Sequence, residues 1–220
     1  MEIIARIYTN FKEKFGIPRQ SGLSDNVARI VFEPKYRNPD ALRGIEGYSH
    51  LWLIWNFSEL KAEGWRPTVR PPRLGGNKKM GVFATRSPYR PNPIGLSSVR
   101  LESVSDEGDD GYVLYVSGAD MLDGTPIYDI KPYLAFTDSH PDARSGFAEE
   151  KFGKKLTVHI EGALSGSLGD GELSELTRIL EEDPRPQYQS DPERIYGMKF
   201  GSREVRFRVD GTELYVTEIK

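Results

Sequence analysis

The amino-acid sequence predicts a mainly β protein, an antiparallel barrel or strongly curved sheet followed by a small α+β C-terminal part. Three observations carry that expectation. Short runs rich in Ile, Val and aromatic residues recur along the first 136 residues with no helix repeated between them, whereas a parallel sheet needs a crossover after each strand. Leu96–Val104 and Tyr112–Gly118 flank an acidic turn ending Asp109-Asp110-Gly111, a strong hairpin signal. The pattern changes only later, to a polar stretch at 137–155 and then one amphipathic helix among strands. The expected division is 1–138 for the barrel and 139–220 for the smaller unit.

In chain order, Ile3–Tyr8 and Ala28–Phe32 read as strands bounded by Gly, Pro and Asn. A polar loop between them ends in Pro18-Arg19-Gln20. The stretch from Asn38 to Gly44 reads as one helical turn, with Asn38 as cap, Pro39 first and Gly44 as the stop. Gly47–Phe57 is an almost unbroken apolar and aromatic run, expected to be a central strand buried on both faces, with His50 a hydrogen-bonded core histidine. Met80–Thr85 is expected to be another strand. In Ala119–Tyr133 aspartates alternate with apolar residues, and Gly124, Pro126 and Pro132 interrupt the run. It reads as the loop-rich wall of a pocket.

Leu156–Ile160 reads as a strand, and Gly171–Glu182 as a helix with Leu173, Leu176, Ile179 and Leu180 on one face. Asp183-Pro184 stops it. The chain closes in a hairpin, Val205–Val209 against Leu214–Ile219 around Asp210-Gly211. There Val205, Phe207 and Val209 alternate with Arg206 and Arg208, giving one apolar and one basic face. Gly162–Gly171 imitates a dinucleotide-binding glycine loop, but Asp183-Pro-Arg-Pro follows the helix where a second parallel strand would begin, so a plain connection is expected.

Composition narrows the chemistry. With 220 residues, 37% hydrophobic and 29% charged, the chain suits a soluble domain with a smaller appendage. No apolar run approaches the ~20 residues of a membrane helix. Met1-Glu2-Ile3-Ile4 has no signal-peptide pattern, so a cytoplasmic location is expected. The absence of cysteine excludes disulfides, cysteine zinc sites, thiolate nucleophiles and cysteine-held iron–sulfur clusters. Of the three histidines, His140 forms an H-x-D pair with Asp142 that has the shape of an iron site. It lies in a polar turn, and no metal is expected. No Ser/His/Asp triad can be assembled.

Charge is segregated. Of 30 basic and 33 acidic residues, seven basic and no acidic ones fall in 64–95: Arg66, Arg70, Arg73, Lys78, Lys79, Arg86 and Arg90. Six prolines stiffen this stretch, five glycines let backbone approach a ligand, and guanidinium pairs bidentately with phosphate or carboxylate. Combined with Asp120, Asp123 and Asp129 and with the rings of Trp65, Phe83, Tyr89, Tyr128 and Tyr133, the stretch suits a nucleotide or RNA ligand. Arginines would hold phosphates, rings would stack bases, and carboxylates would accept from amino groups or ribose hydroxyls.

The segments RPTVRPPRLGGN, MGVFATRSPYRPNPIG and DGTPIYDIKPY closely resemble, in the same order, motifs of the TsaA-like tRNA methyltransferases, the TrmO family. The likeness covers most of residues 1–136, and Asp183-Pro-Arg-Pro-Gln-Tyr188 is similar to the family's C-terminal segment. The resemblance implies a single-sheet β-barrel, a homodimer, and transfer of methyl from S-adenosylmethionine to N6 of threonylcarbamoyladenosine 37 in threonine tRNA; direct in-line displacement, which needs no metal or covalent intermediate, is the expected route. It places Pro18, Arg19, Gln20, Arg86, Leu96, Ser117, Gly118, Ala119 and Asp120 around the methyl donor. Ser58 and Glu59 stand at a contact position that often reads His-Gln in the family, a departure from its pattern.

On this reading Asp123 or Asp129 would take the N6 proton, while Lys131 and Tyr133 would orient the base. Arg66, Arg70, Arg73 and Arg90, with Arg206 and Arg208, would hold the tRNA backbone. Two alternatives use the same basic loops: a non-catalytic RNA-binding module, and a small-molecule methyltransferase with an anionic substrate.

Overall fold

The computed structural model describes residues 1–60, 64–71, 78–151, 155–185 and 191–220; the expectations for Arg73 and for Pro186–Tyr188 fall outside them. The strands up to Pro132 are β1 (Ala5–Tyr8), β2 (Val27–Phe32), β3 (His50–Asn56), β4 (Thr68–Val69), β5 (Met80–Gly81), β6 (Ile94–Asp106), β7 (Tyr112–Ser117) and β8 (Thr125–Pro132). Six of them close an antiparallel barrel in the order β1-β2-β7-β6-β3-β8, and β4 pairs with β5 in a separate ribbon. Closure leaves no free sheet edge and gives every strand one face to bury. Ile7, Ile30, Leu51, Leu53, Val99, Leu114, Val116 and Ile127 fill the interior, each at most 1% exposed. Burying each such side chain contributes about 1.5–3 kcal/mol.

Several local expectations change for reasons that follow from closure. β3 is buried on one face, not both: Leu51, Leu53 and Trp55 point inward, whereas His50, Trp52 and Ile54 point outward. His50 is therefore an exposed residue, its Nδ1 2.9 Å from Ser49 Oγ. The stretch read as a pocket wall supplies β8, the strand that joins β1 to β3. Pro126 and Pro132 sit near its two ends, where a missing N–H costs least. Of the strand expected over Met80–Thr85, only Met80–Gly81 forms a strand, and Val82–Ala84 forms a 3-10 turn. The turn after Asn38 forms as expected, with the Asn38 side chain accepting from Asp40 N at 3.0 Å.

Beyond the barrel come α1 (Ala135–Asp138), α2 (Gly162–Ser165) and α3 (Asp170–Glu181), with β9 (Thr157–His159), β10 (Tyr196–Phe200), β11 (Arg203–Asp210) and β12 (Glu213–Ile219). The sheet order is β10-β11-β12-β9, with β9 parallel to β12. Leu176, Ile179 and Leu180 of α3 pack on the inner face formed by Met198, Phe200, Val205, Phe207, Val209 and Leu214. β10 has no counterpart in the sequence expectations.

The loop between β1 and β2 is not simply polar. Phe11 is 1% exposed within this second core, with Phe15 and Ile17 packed against it. Asn10 O accepts from Gly201 N at 3.1 Å and Glu13 Oε1 from Lys199 N at 2.7 Å, so the loop ties the barrel to the C-terminal sheet. No described helix is long and apolar enough to cross a membrane.

Candidate active site

A pocket of about 650 Å³ lies among the ends of β3 and β6, residues 17–20, 57–60 and 85–90, and Asp120. Its back wall depends on one glycine. Trp55 of β3 pairs with Gly95 of β6, and a Cβ on Gly95 would stand 2.1 Å from the Trp55 ring. Without that Cβ the indole lies across the strand, its centroid 4.3 Å from that of Phe57. Trp55 Nε1 donates to Ser97 Oγ at 2.9 Å, and Ser97 Oγ donates to Asp120 Oδ1 at 2.5 Å. Ser97 is 1% exposed. Burial pushes the Asp120 carboxyl up from its ordinary value; the Ser97 hydroxyl, the N–H groups of Asp120 and Ser21, and the charge of Arg86 oppose the rise.

Arg86, Gln20 and Arg19 form a continuous rim. Arg86 Nη1 donates to Gln20 Oε1, and Gln20 Nε2 to Arg19 O. Arg19 Nη2 in turn donates to Arg185 O at 3.1 Å, a carbonyl just beyond α3. Pro18, Arg19, Gln20, Ser58, Glu59, Arg86, Leu96 and Asp120 all line the pocket. Ser117, Gly118 and Ala119 stand behind it and are buried. Ser117 Oγ donates to Glu102 at 2.5 Å, Ala119 O accepts from Asn26 Nδ2 at 3.0 Å, and Gly118 O from Gly22 N at 2.9 Å. At φ +82°, with a Cβ that would meet Gly22 backbone at 3.2 Å, Gly118 is the residue type this turn requires. These three residues fix where Asp120 emerges.

A larger cleft of about 1860 Å³ adjoins the pocket. Arg66, Arg70, Lys79, Arg144 and Arg185 all line it, and Pro18–Gln20, Thr85, Arg86, Pro88 and Tyr89 belong to both cavities. Over the ribbon of β4 and β5, Trp65 and Phe83 stack at 6.3 Å and 18° while remaining 51% and 70% exposed. The Arg66 guanidinium lies 5.0 Å from the Tyr89 ring and that of Arg90 5.5 Å from the Phe83 ring. Arg90 also donates to Val82 O at 3.1 Å and Thr85 O at 2.7 Å.

The other expected site residues are placed elsewhere. Asp123 accepts from Thr9 N at 2.9 Å and Lys12 Nζ at 2.7 Å. Asp129 pairs with Lys131 at 3.1 Å on the outward side of β8, across from Ile54. The Tyr133 ring lies 5.4 Å from Trp52. None of these four lines either cavity. Arg206 pairs with Glu204 and Glu218 at 3.0 and 3.4 Å, and Arg208 covers the Tyr215 ring at 4.5 Å, on the exposed face of the C-terminal sheet and away from both cavities. Sequence reasoning passed over Ser97, Trp55 and Arg144. A glycine and a serine at inward positions of β6, where apolar residues are expected, were the available signal for the first two. Among the described residues, no three His, Asp or Glu gather as a metal site would need.

Comparison with known proteins agrees across the whole chain. A family model for the tRNA-methyltransferase O N-terminal domain matches residues 6–139, and one for the TrmO C-terminal domain matches 155–220. A tRNA (adenine(37)-N6)-methyltransferase of Escherichia coli (strain K12) is 42% identical, over 99% of this chain and 97% of its own length. A Pseudomonas aeruginosa relative, provisionally named an S-adenosylmethionine-dependent methyltransferase, is 40% identical over 96% of this chain and 93% of its own. A crystal structure of TrmO from Pseudomonas aeruginosa superposes with a TM-score of 0.81 at 31% identity, covering 99% of this chain and 94% of that one.

Proposed function

The chain belongs to the tRNA-methyltransferase O family, and we propose on that footing that it methylates N6 of adenosine 37 in tRNA with S-adenosylmethionine. We further propose threonylcarbamoyladenosine in threonine tRNA as the substrate and in-line displacement as the route. One observation carries the reading: the small pocket and the basic cleft share a wall, Pro18–Gln20 with Thr85, Arg86, Pro88 and Tyr89, so a donor in one and RNA in the other would meet.

The residues present fit the donor. The pocket's volume falls within the roughly 300–1,000 Å³ of small-molecule sites; Arg86 offers a cation for a carboxylate, and Trp55 and Phe57 offer apolar faces. When bound, S-adenosylmethionine supplies an electrophilic methyl group. The protein's task is to hold the two partners in attack geometry, which lowers a barrier by roughly 7–11 kcal/mol. Arg66, Arg70 and Lys79 would meet phosphates, and the Trp65–Phe83 ledge would stack a base. Leu96, 57% exposed beside Ile54 and Trp52 on the barrel's outer face, gives a homodimer an apolar surface to cover. Such an enzyme works in the cytoplasm.

The test is transfer of labelled methyl to tRNA with and without the threonylcarbamoyl group. Labelling of the modified tRNA alone is expected. Labelling of both removes the finer substrate assignment. Salt-sensitive tRNA binding without transfer points to an RNA-binding module, and transfer that survives ribonuclease to a small-molecule methyltransferase.

A further inference from the structure

We propose that Asp120 is the proton acceptor of the reaction, its carboxylate taking the N6 hydrogen as the methyl arrives. The inference rests on the methyltransferase reading above. Three aspartates lie within ten residues, and the fold separates them. Asp123 is engaged by Thr9 and Lys12, and Asp129 faces outward beside Lys131. Only Asp120, among the three, lines the pocket where the donor is placed.

Its hydrogen bonds orient it for this role. An indole N–H can only donate, so Ser97 Oγ must accept from Trp55, and its one hydrogen is left for Asp120 Oδ1. The carboxylate is thereby held as an acceptor, on a strand–turn that the buried Ser117–Ala119 segment fixes. Burial raises its proton affinity above that of an ordinary carboxyl, which brings it closer to the working range of a general base. Arg86 acts on it directly and favours the ionised form; the other charged residues lining the pocket are Lys14, Arg19, Glu59 and Arg90.

The step balances. The N6 lone pair forms the new N–C bond, and the C–S bond breaks with its electrons remaining on sulfur. The N–H electrons stay on nitrogen while the proton passes to Asp120, which becomes a neutral carboxylic acid and returns the proton to water after the products leave.

Asp120→Asn preserves the size of the side chain and an acceptor for Ser97. Because Asp120 lines the donor pocket, we expect calorimetry to show affinity for S-adenosylmethionine falling far less than transfer and affinity for tRNA unchanged, with single-turnover transfer down by about 10²–10⁴-fold. The wild-type rate should rise with pH through one ionisation that the variant lacks. In the ligand-free protein, carbon-13 NMR should find an aspartate titrating above the ordinary carboxyl value, absent from the variant. Donor affinity lost in step with transfer would make Asp120 a donor ligand and overturn the proposal, as would transfer at the wild-type rate. No transfer by the wild-type protein would instead overturn the methyltransferase reading itself, and the proposal with it.

Discussion

At Ser97 one hydroxyl serves two partners, accepting from Trp55 and donating to Asp120. Ser97→Ala leaves a buried indole N–H without its acceptor, at a cost of about 1–3 kcal/mol, readable in a denaturant melt. It also removes a bond that lowers the Asp120 pKa. That pKa then rises further, and the rising limb of the pH–rate profile moves to higher pH; movement the other way would contradict the arrangement. The same burial makes ionised Asp120 oppose folding increasingly as pH rises through its titration, because the folded state then binds protons more tightly than the unfolded one. Asp120→Asn is accordingly expected to be at least as stable as the wild type at neutral pH. Gly95→Ala drives a Cβ into Trp55 and is expected to cost roughly 1–3 kcal/mol through overpacking, with donor binding weakened, as calorimetry would show. The sequence marked Asp120, Asp123 and Asp129 as pocket residues and gave the proton to Asp123 or Asp129, which line neither cavity. Whether an aspartate faces a cavity or a lysine depends on where β8 begins, and that is set by pairing with β1, more than a hundred residues earlier.

Among the elements, the ribbon of β4 and β5 carries the clearest consequences. Arg66 N donates to Tyr89 O and Val82 N to Pro67 O, and Arg90 spans two carbonyls of the following turn. The described part of the basic stretch is therefore folded on itself, with Trp65 and Phe83 displayed on its surface. Stacking is worth about 1–3 kcal/mol per base, roughly 5- to 150-fold in affinity. Phe83→Ala should raise the KM for tRNA within that range while leaving donor affinity unchanged, and the Trp65 fluorescence should be quenched as tRNA binds. Arg90→Lys keeps the charge but cannot bridge both carbonyls. It is expected to weaken tRNA binding nearly as much as Arg90→Ala, whereas a simple phosphate contact would spare the lysine variant. Stiffness was legible here, since proline and arginine state it locally. The strands were less so. Alternation within β3 was masked because its outward residues include Trp52 and Ile54, apolar positions that look buried, and β8 was obscured by prolines that only its terminal pairing makes harmless.

For the whole molecule, segregated charge was readable from composition, and the barrel from hairpin signals and the lack of intervening helices. What composition could not show is that the two cores share a loop. Phe11, Phe15 and Ile17 leave the barrel between β1 and β2 and pack under the C-terminal sheet, while the next residues, Pro18–Gln20, line both cavities. Phe11→Ala should cost about 3–5 kcal/mol and disturb donor binding as well as the melting of the C-terminal sheet, which a calorimetric scan with and without donor would separate. An enzyme cut after residue 138 would keep every barrel strand and yet hold a greasy finger out to water. A split-protein reporter or minimal catalytic fragment made from this chain would need that finger redesigned before it could stay in solution, because the joint between the halves runs through the loop and not through the polar stretch where a cut looks easiest.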